Sequence, residues 1–257
     1  MTRGAPAPTV RAVRGRHVLL PRAVLVDLDD TLLDGAELPQ AVAQTCTDLA
    51  AAGYGLDAGT LVDANAAVWA RLWPDAERDW VVGRLTGASL RLNVWRETVR
   101  LAGCDDDAVA RLASDTHASY VRRALRLSDG AADFIAMLAG RCSLGVVTNG
   151  AADDQRQKLA WFDLERRFDP IVISGEIGVA KPDPAIFAVA LDRLSVRAAD
   201  VWHVGDSLRA DVAGAQAAGI TAVWLNRAGD PPPPGQPQPD IETSSLTQLA
   251  RLLEQRR

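Results

Sequence analysis

Four short segments of this chain carry side chains that could do chemistry, and two of them are built from carboxylates. In DLDDT, residues 27–31, Asp27 and Asp29 stand two apart at the end of an apolar run. That spacing on an extended backbone lets both side chains point to the same side. Asp30 and Asp34 add charge, and acids so crowded repel one another unless a cation or a proton intervenes. In GDSLRAD, residues 205–211, Asp206 and Asp211 can face one pocket. Hard oxygen ligands with room for water suit Mg²⁺.

The other two segments suit an anionic partner. TNG at 148–150 offers a hydroxyl, an amide and free backbone N–H groups where a helix begins, which makes a phosphate cradle. Lys181 lies in GVAKPDP, where Pro182 and Pro184 are expected to hold it on an extended loop. Of 28 basic residues only Lys158 and Lys181 are lysines. Keeping a lysine in so arginine-rich a chain suggests a need for a compact ammonium instead of a planar fork. Taken singly, these features read equally well as solvated turn acids, a capped turn and a solvated loop cation. Their conjunction and order carry the weight.

The elements around them explain how they could meet. Apolar runs at 22–28 (RAVLVDL), 143–147, 171–174, 201–204 and 221–225 read as strands buried on both faces. Helical segments are expected near 130–139, 151–160, 184–194, 208–218 and 244–255. Such alternation predicts an α/β fold with a parallel, doubly wound, Rossmann-like sheet. Each motif then falls at a strand end, the edge where such sheets bind ligands.

Between about Asp34 and Arg126 nothing resembles a strand. Leu61, Val62, Asn65, Val68, Trp69, Leu72 and Trp73 repeat at helical spacing, and Thr60 with Asp63 looks like a capping box. Val109, Leu112, Ala113, Thr116 and Tyr120 repeat it after Asp105–Asp107, where acids favour a helix start. The expected organisation is a basic disordered leader over 1–21, an α/β core from 22–34 and 127–257, and an all-helical cap over 35–126. PPPPGQPQP at 231–239 reads as a stiff connector to the last helix.

On these four segments, spanning about residues 22 to 227, the chain resembles the haloacid dehalogenase superfamily, with its inserted helical C1-type cap. The SGEIGVAKPDPAIFAVAL and VWLNRAG stretches are similar to its sugar-phosphate and nucleotide-phosphatase branch, which includes N-acylneuraminate-9-phosphatase-like enzymes.

The resemblance implies a Mg²⁺-dependent hydrolase of small phosphate monoesters working through an aspartyl-phosphate. It makes Asp27 the nucleophile, Asp29 the acid and base, and Lys181 the charge-offsetting cation. Thr148 and the backbone of Asn149 would grip the phosphoryl oxygens, with Leu28 and Ser207 as backbone neighbours. Asp27, the Asp29 carbonyl and Asp206 would hold the metal, with Asp211 in support. True dehalogenases of the superfamily lack an acid at the position of Asp29 and need no metal, so this carboxylate favours phosphate chemistry. A β-phosphoglucomutase-type phosphomutase shares the same loops and cap, and a catalytically silent regulator could share the fold. The silent reading sits poorly with all of Asp27, Asp29, Lys181 and Asp206 being present.

Composition narrows the rest. A net charge of −5 gives no basic surface for nucleic acid. No apolar run is long enough to span a membrane. Cys46, Cys104 and Cys142 lack metal or redox spacing and read as reduced thiols in a cytoplasmic protein. The first 22 residues, with Arg3, Arg11, Arg14, Arg16 and Arg22, are too broken by charge for a secretory signal. The expected partner is a small phosphorylated metabolite, and monomer and homodimer stay open. His17, His117 and His203 are expected to be non-catalytic, with His203 packed in the core. Trp69, Trp73, Trp80 and Trp95 read mostly as cap core. Arg84, Arg91 and Arg96 are cap candidates for a second anionic group, and hinges are expected near Asp34–Glu37 and Leu125–Gly130.

Overall fold

The strand that ends in the first motif shows why its sequence is apolar without interruption. In β2 (Ala23–Val26), Ala23 and Leu25 pack into one core cluster and Val24 and Val26 into another. All four are fully buried, as a central strand covered on both faces requires. Burial of each larger side chain contributes about 1.5–3 kcal/mol. The structure, a computed structural model, describes residues 11–12 and 20–255.

The core continues with α5 (Ala131–Leu138), β5 (Ser143–Thr148), α6 (Ala152–Trp161), β6 (Ile171–Ile173), α7 (Ser174–Ile177), α8 (Pro184–Leu194), β7 (Val201–Gly205), α9 (Ala213–Ala217), β8 (Thr221–Leu225), β9 (Ile241–Thr243) and α10 (Leu246–Glu254). The sheet order is β1-β9-β8-β7-β2-β5-β6, with β1 at Arg11–Ala12. From β9 to β6 every pairing is parallel. The chain leaves β2 outward through β5 and β6, then returns to build β7, β8 and β9 on the other side. The switch point therefore lies at β2, and the loops after β2, β5 and β7 converge there.

Two expectations need correction at the sheet edge. The leader is not wholly disordered: Arg11–Ala12 pairs antiparallel with β9, because an open edge offers unpaired backbone groups. Arg3, Arg14, Arg16 and His17 lie outside the described residues. The proline-rich connector leads first to β9, which is too short for its pattern to register in sequence, and only then to α10. In addition, the segment expected as one helix over 208–218 is a π-helical turn, Leu208–Val212, running into α9. Pro184 does not extend the Lys181 loop. It opens α8, with the Asp183 carboxylate accepting from Ala185 N at 2.9 Å.

The helical insert comprises α1 (Leu38–Ala51), α2 (Ala58–Val81), α3 (Gly87–Leu101) and α4 (Asp107–Ala124). It leaves and rejoins the core through a small antiparallel ribbon, β3 (Leu33–Asp34) with β4 (Arg126–Leu127), so two short strands sit where hinges without strands were expected. Asp57, not Thr60, caps α2, accepting from Thr60 N at 2.8 Å, so that helix begins earlier than the Thr60–Asp63 pattern implied. Asp106 caps α4 through Ala108 N at 2.7 Å. Of the four cap tryptophans only Trp95 is fully buried. Trp69 is exposed and stacks on Trp73, and Trp73 meets Trp80 edge-on. Among the described residues no helix is long and apolar enough to cross a membrane, and the three cysteines are free.

Candidate active site

The four motifs meet at the edge where β2, β5 and β7 end. Asp27 follows β2, and its amide donates to Val204 O at 2.9 Å, which carries the parallel ladder one step further. Asp30 then turns the chain back with φ 53°, a left-handed conformation that aspartate tolerates. Thr31 Oγ1 reaches Asp206 at 3.3 Å.

Lys181 crosses from the loop before α8 to the centre of the site. Its Nζ donates to Asp27 at 2.6 Å and to Asp211 at 2.7 Å, and all three residues are buried. Asn149 presents this lysine: its side-chain amide donates to Lys181 O at 2.9 Å and accepts from Lys181 N at 2.8 Å. The Asn149 side chain thus has a role that its expected backbone contact to phosphate did not include. Asp211 is held by Lys181, by His203 Nε2 at 2.9 Å and by Ser207 N at 3.0 Å. His203 is a packed core residue, edge-on to Phe187, that also anchors Asp211. Leu28 is buried in the core, its carbonyl taken by Leu33 N at 2.8 Å.

The electrostatics show a pocket short of positive charge. Burial pushes the Asp27 carboxyl up to about 8 against the pull of Lys181, and Asp211 and Asp206 add to the rise. Burial also lifts Asp206 to about 6, with Asp211 and Asp30 contributing. Burial opposes ionisation of Asp211 too, but Lys181 and His203 hold it below the usual carboxylate range. Burial disfavours the Lys181 ammonium, yet Asp211 and Asp27 keep it above its ordinary value. Burial holds the His203 imidazole below its usual value. Three carboxylates share one lysine here. Asp27, Asp206 and Asp211 each bring an oxygen within 4.8 Å of the others, the hard donor set that a divalent cation takes.

Asp29 is held by α6. Its carboxylate accepts from Lys158 Nζ at 2.8 and 2.9 Å and from Gln155 Nε2 at 2.9 Å. Gln155 also donates to Thr148 Oγ1 at 2.7 Å. Sequence reading missed both α6 residues, although the scarcity of lysine that singled out Lys181 applies equally to Lys158. It also missed Arg227, which donates to the carbonyls of Asp30 and Thr31 and to Ser128 Oγ beside the hinge ribbon.

The cap is seated on this edge. Asp153 at the start of α6 accepts from Gly87 N and Ala88 N at 2.9 and 3.0 Å, and so serves the free amides of α3 across the domain boundary. Ser174 Oγ donates to Val81 O at 2.6 Å, and Trp80 Nε1 donates to Asp154 at 3.2 Å. Of the cap arginines, Arg84 and Arg96 pair with exposed Asp79 and Asp107. Arg91 lies half-buried, 3.8 Å from Asp154, with its Nε unpartnered.

Known proteins share this sequence pattern and fold. Residues 21–219 match the haloacid dehalogenase-like hydrolase family. The phosphoserine phosphatase of Thermus thermophilus is 31% identical over 89% of this chain and 97% of its own length. The N-acylneuraminate-9-phosphatase of Mus musculus is 32% identical over 64% and 68%. Among solved structures, a 2-haloacid dehalogenase from Pseudomonas syringae aligns with a TM-score of 0.68 at 29% identity, covering 91% of this chain and 99% of that one. The HAD-hydrolase YfnB from Bacillus subtilis, solved bound to magnesium, aligns with a TM-score of 0.62 at 26% identity, covering 91% and 98%. With a family match across most of the chain, an acidic triad at the switch point and a helical cap over it, the chain belongs to the haloacid dehalogenase-like hydrolases, among their phosphatases.

Proposed function

We propose that the chain hydrolyses a small phosphate monoester, with Asp27 as nucleophile and Asp29 as acid and base. The observation that carries this reading is the division of labour between the two acids. Asp27 is buried against Lys181 among the triad, while Asp29, two residues on, is held apart by α6. An alkoxide leaving group needs a proton and a halide does not, so a second acid beside the nucleophile is of use for ester cleavage.

In the first half-reaction an Asp27 oxygen forms a bond to phosphorus as the ester P–O bond breaks, and the Asp29 proton passes to the departing oxygen. In the second, Asp29 takes a proton from water as that water bonds to phosphorus. The P–O bond to Asp27 then breaks and frees the carboxylate. Thr148 and the backbone of Asn149 would grip the phosphoryl oxygens where α6 begins. Lys181 offsets repulsion between carboxylate and phosphate. Asp27 and Asp206 carboxylates with the Asp29 carbonyl would hold Mg²⁺, and Asp211, already occupied by three donors, would support it from behind. Bound there, the ion would supply Lewis-acid charge neutralisation.

Two of the relatives, the phosphoserine and N-acylneuraminate-9-phosphatases, are named for substrates that carry a carboxylate as well as a phosphate. Arg91, the cap arginine that lies 3.8 Å from Asp154 at the core boundary, suits that second anion. Hydrolysis of p-nitrophenyl phosphate with and without Mg²⁺ tests the reading. Asp27→Asn should abolish turnover, and Asp29→Asn should slow it and let an acid-stable phosphoenzyme accumulate. Turnover by Asp27→Asn at the wild-type rate would refute the nucleophile assignment. Phosphate release from sugar monophosphates separates a hydrolase from a mutase.

A further inference from the structure

Both lysines of the chain end on the DLD motif, one ammonium on each acid. Lys181 meets Asp27, and Lys158 meets Asp29. A half-exposed ion pair is ordinarily worth little. This one is different because its third member, Gln155, is fully buried and its amide bonds Asp29, Thr148 and Lys158 together. Gln155 Nε2 donates both to Asp29 and to Thr148 Oγ1, and Gln155 Oε1 accepts from Lys158 Nζ at 2.9 Å. The two residues lie one helical turn apart on α6, so a single rigid turn fixes the Asp29 carboxylate relative to the phosphate loop.

We propose that Gln155 and Lys158 are positioning residues for proton transfer: they hold the Asp29 carboxylate at the place where the leaving oxygen must be protonated and the water deprotonated. The inference rests on the reading of Asp29 as acid and base. A short side chain on a turn would otherwise sample several rotamers, and a proton donor acts only within hydrogen-bond reach.

A positioning role predicts an effect that depends on the leaving group. Phenyl phosphate and p-nitrophenyl phosphate present rings of similar size, but phenolate leaves poorly without a proton and nitrophenolate leaves readily. The measured quantity is kcat/KM, which reports steps through leaving-group departure and excludes the later hydrolysis. Lys158→Met should lower kcat/KM for phenyl phosphate about tenfold more than for p-nitrophenyl phosphate, and Gln155→Leu should act the same way. In an Asp29→Asn background neither change should alter that ratio further. Lys158→Arg should restore part of it by returning the charge. Equal losses with both esters, or a further change in the Asp29→Asn background, would overturn the proposal. Should Gln155→Leu unfold, the partly exposed Lys158 position still decides the matter. Failure of Asp27→Asn to remove activity would instead overturn the underlying reading of the nucleophile.

Discussion

The floor of the site and the cap above it are held by different kinds of interaction. On the floor, Lys181, Asp27, Asp211 and His203 form a buried, continuous hydrogen-bonded set with short contacts. In the cap, the ion pairs Arg71–Glu97, Arg96–Asp107 and Arg111–Asp107 lie on the surface, and the Trp69–Trp73 stack is partly open. Buried charge is costly unless fully paired, so the floor tolerates few substitutions. Solvated pairs are worth little, so the cap surface is free to vary. The acidic triad belongs to the first kind of interaction.

The largest effect that would sharpen this contrast is expected on the floor. Lys181→Met leaves three acids without a cation and should destabilise the fold by about 3–5 kcal/mol. It should also cut turnover by at least about a hundredfold. Thermal unfolding and p-nitrophenyl phosphate kinetics read the two effects, and a stable, active variant would break the comparison.

The junction should be next. A side chain at Gly83, where φ is +77°, would place its Cβ 1.9 Å from Gly175 O. Gly83→Ala should therefore prop the cap open and lower kcat/KM about a hundredfold, while Mg²⁺ binding measured by calorimetry stays as before. An unchanged rate would mean that catalysis does not need the seated cap.

A cap histidine gives a pH-dependent test. Burial, helped by Arg91, lowers His117 from 6.5 to about 4. Between those values the unfolded chain binds the proton more readily, so the stability contributed by neutral His117 is complete above pH 6.5. It is lost as pH falls toward 4. Urea unfolding at pH 7 and pH 4.5 should show wild type losing roughly 2–3 kcal/mol more than His117→Gln. Equal losses would place the imidazole in water.

The smallest expected effect is at the latch. Asp153→Ala removes the carboxylate that serves the first amides of α3, at a cost of about 1 kcal/mol. Hydrogen exchange should quicken at Gly87 and Ala88 and leave β2 unchanged. Faster exchange throughout the core would show that cap and floor unfold together.

Much of this was legible in the linear chain. The uniform apolarity of 23–26 identified a strand buried on both faces. The spacing of Asp27 and Asp29, TNG at 148–150, the lone loop lysine at 181 and the acids at 206 and 211 marked the four segments that the fold brings together at the candidate site. These are local patterns, set by side-chain period, turn chemistry and residue type within a few positions. The partners across the fold were not legible. Lys158 reads as one more solvated helix cation until Asp29, far away in sequence, is seen against it. The Asn149 grip on the Lys181 backbone, the hold of Arg227 on the first turn, the pairing of β1 with β9 and the capping of α3 by Asp153 are of the same kind. Each joins segments whose proximity depends on the order of strands and the seating of the cap. The sequence determined which groups could react; only the tertiary structure decided which donors hold them, because a hydrogen bond depends on distances between atoms that no single segment fixes.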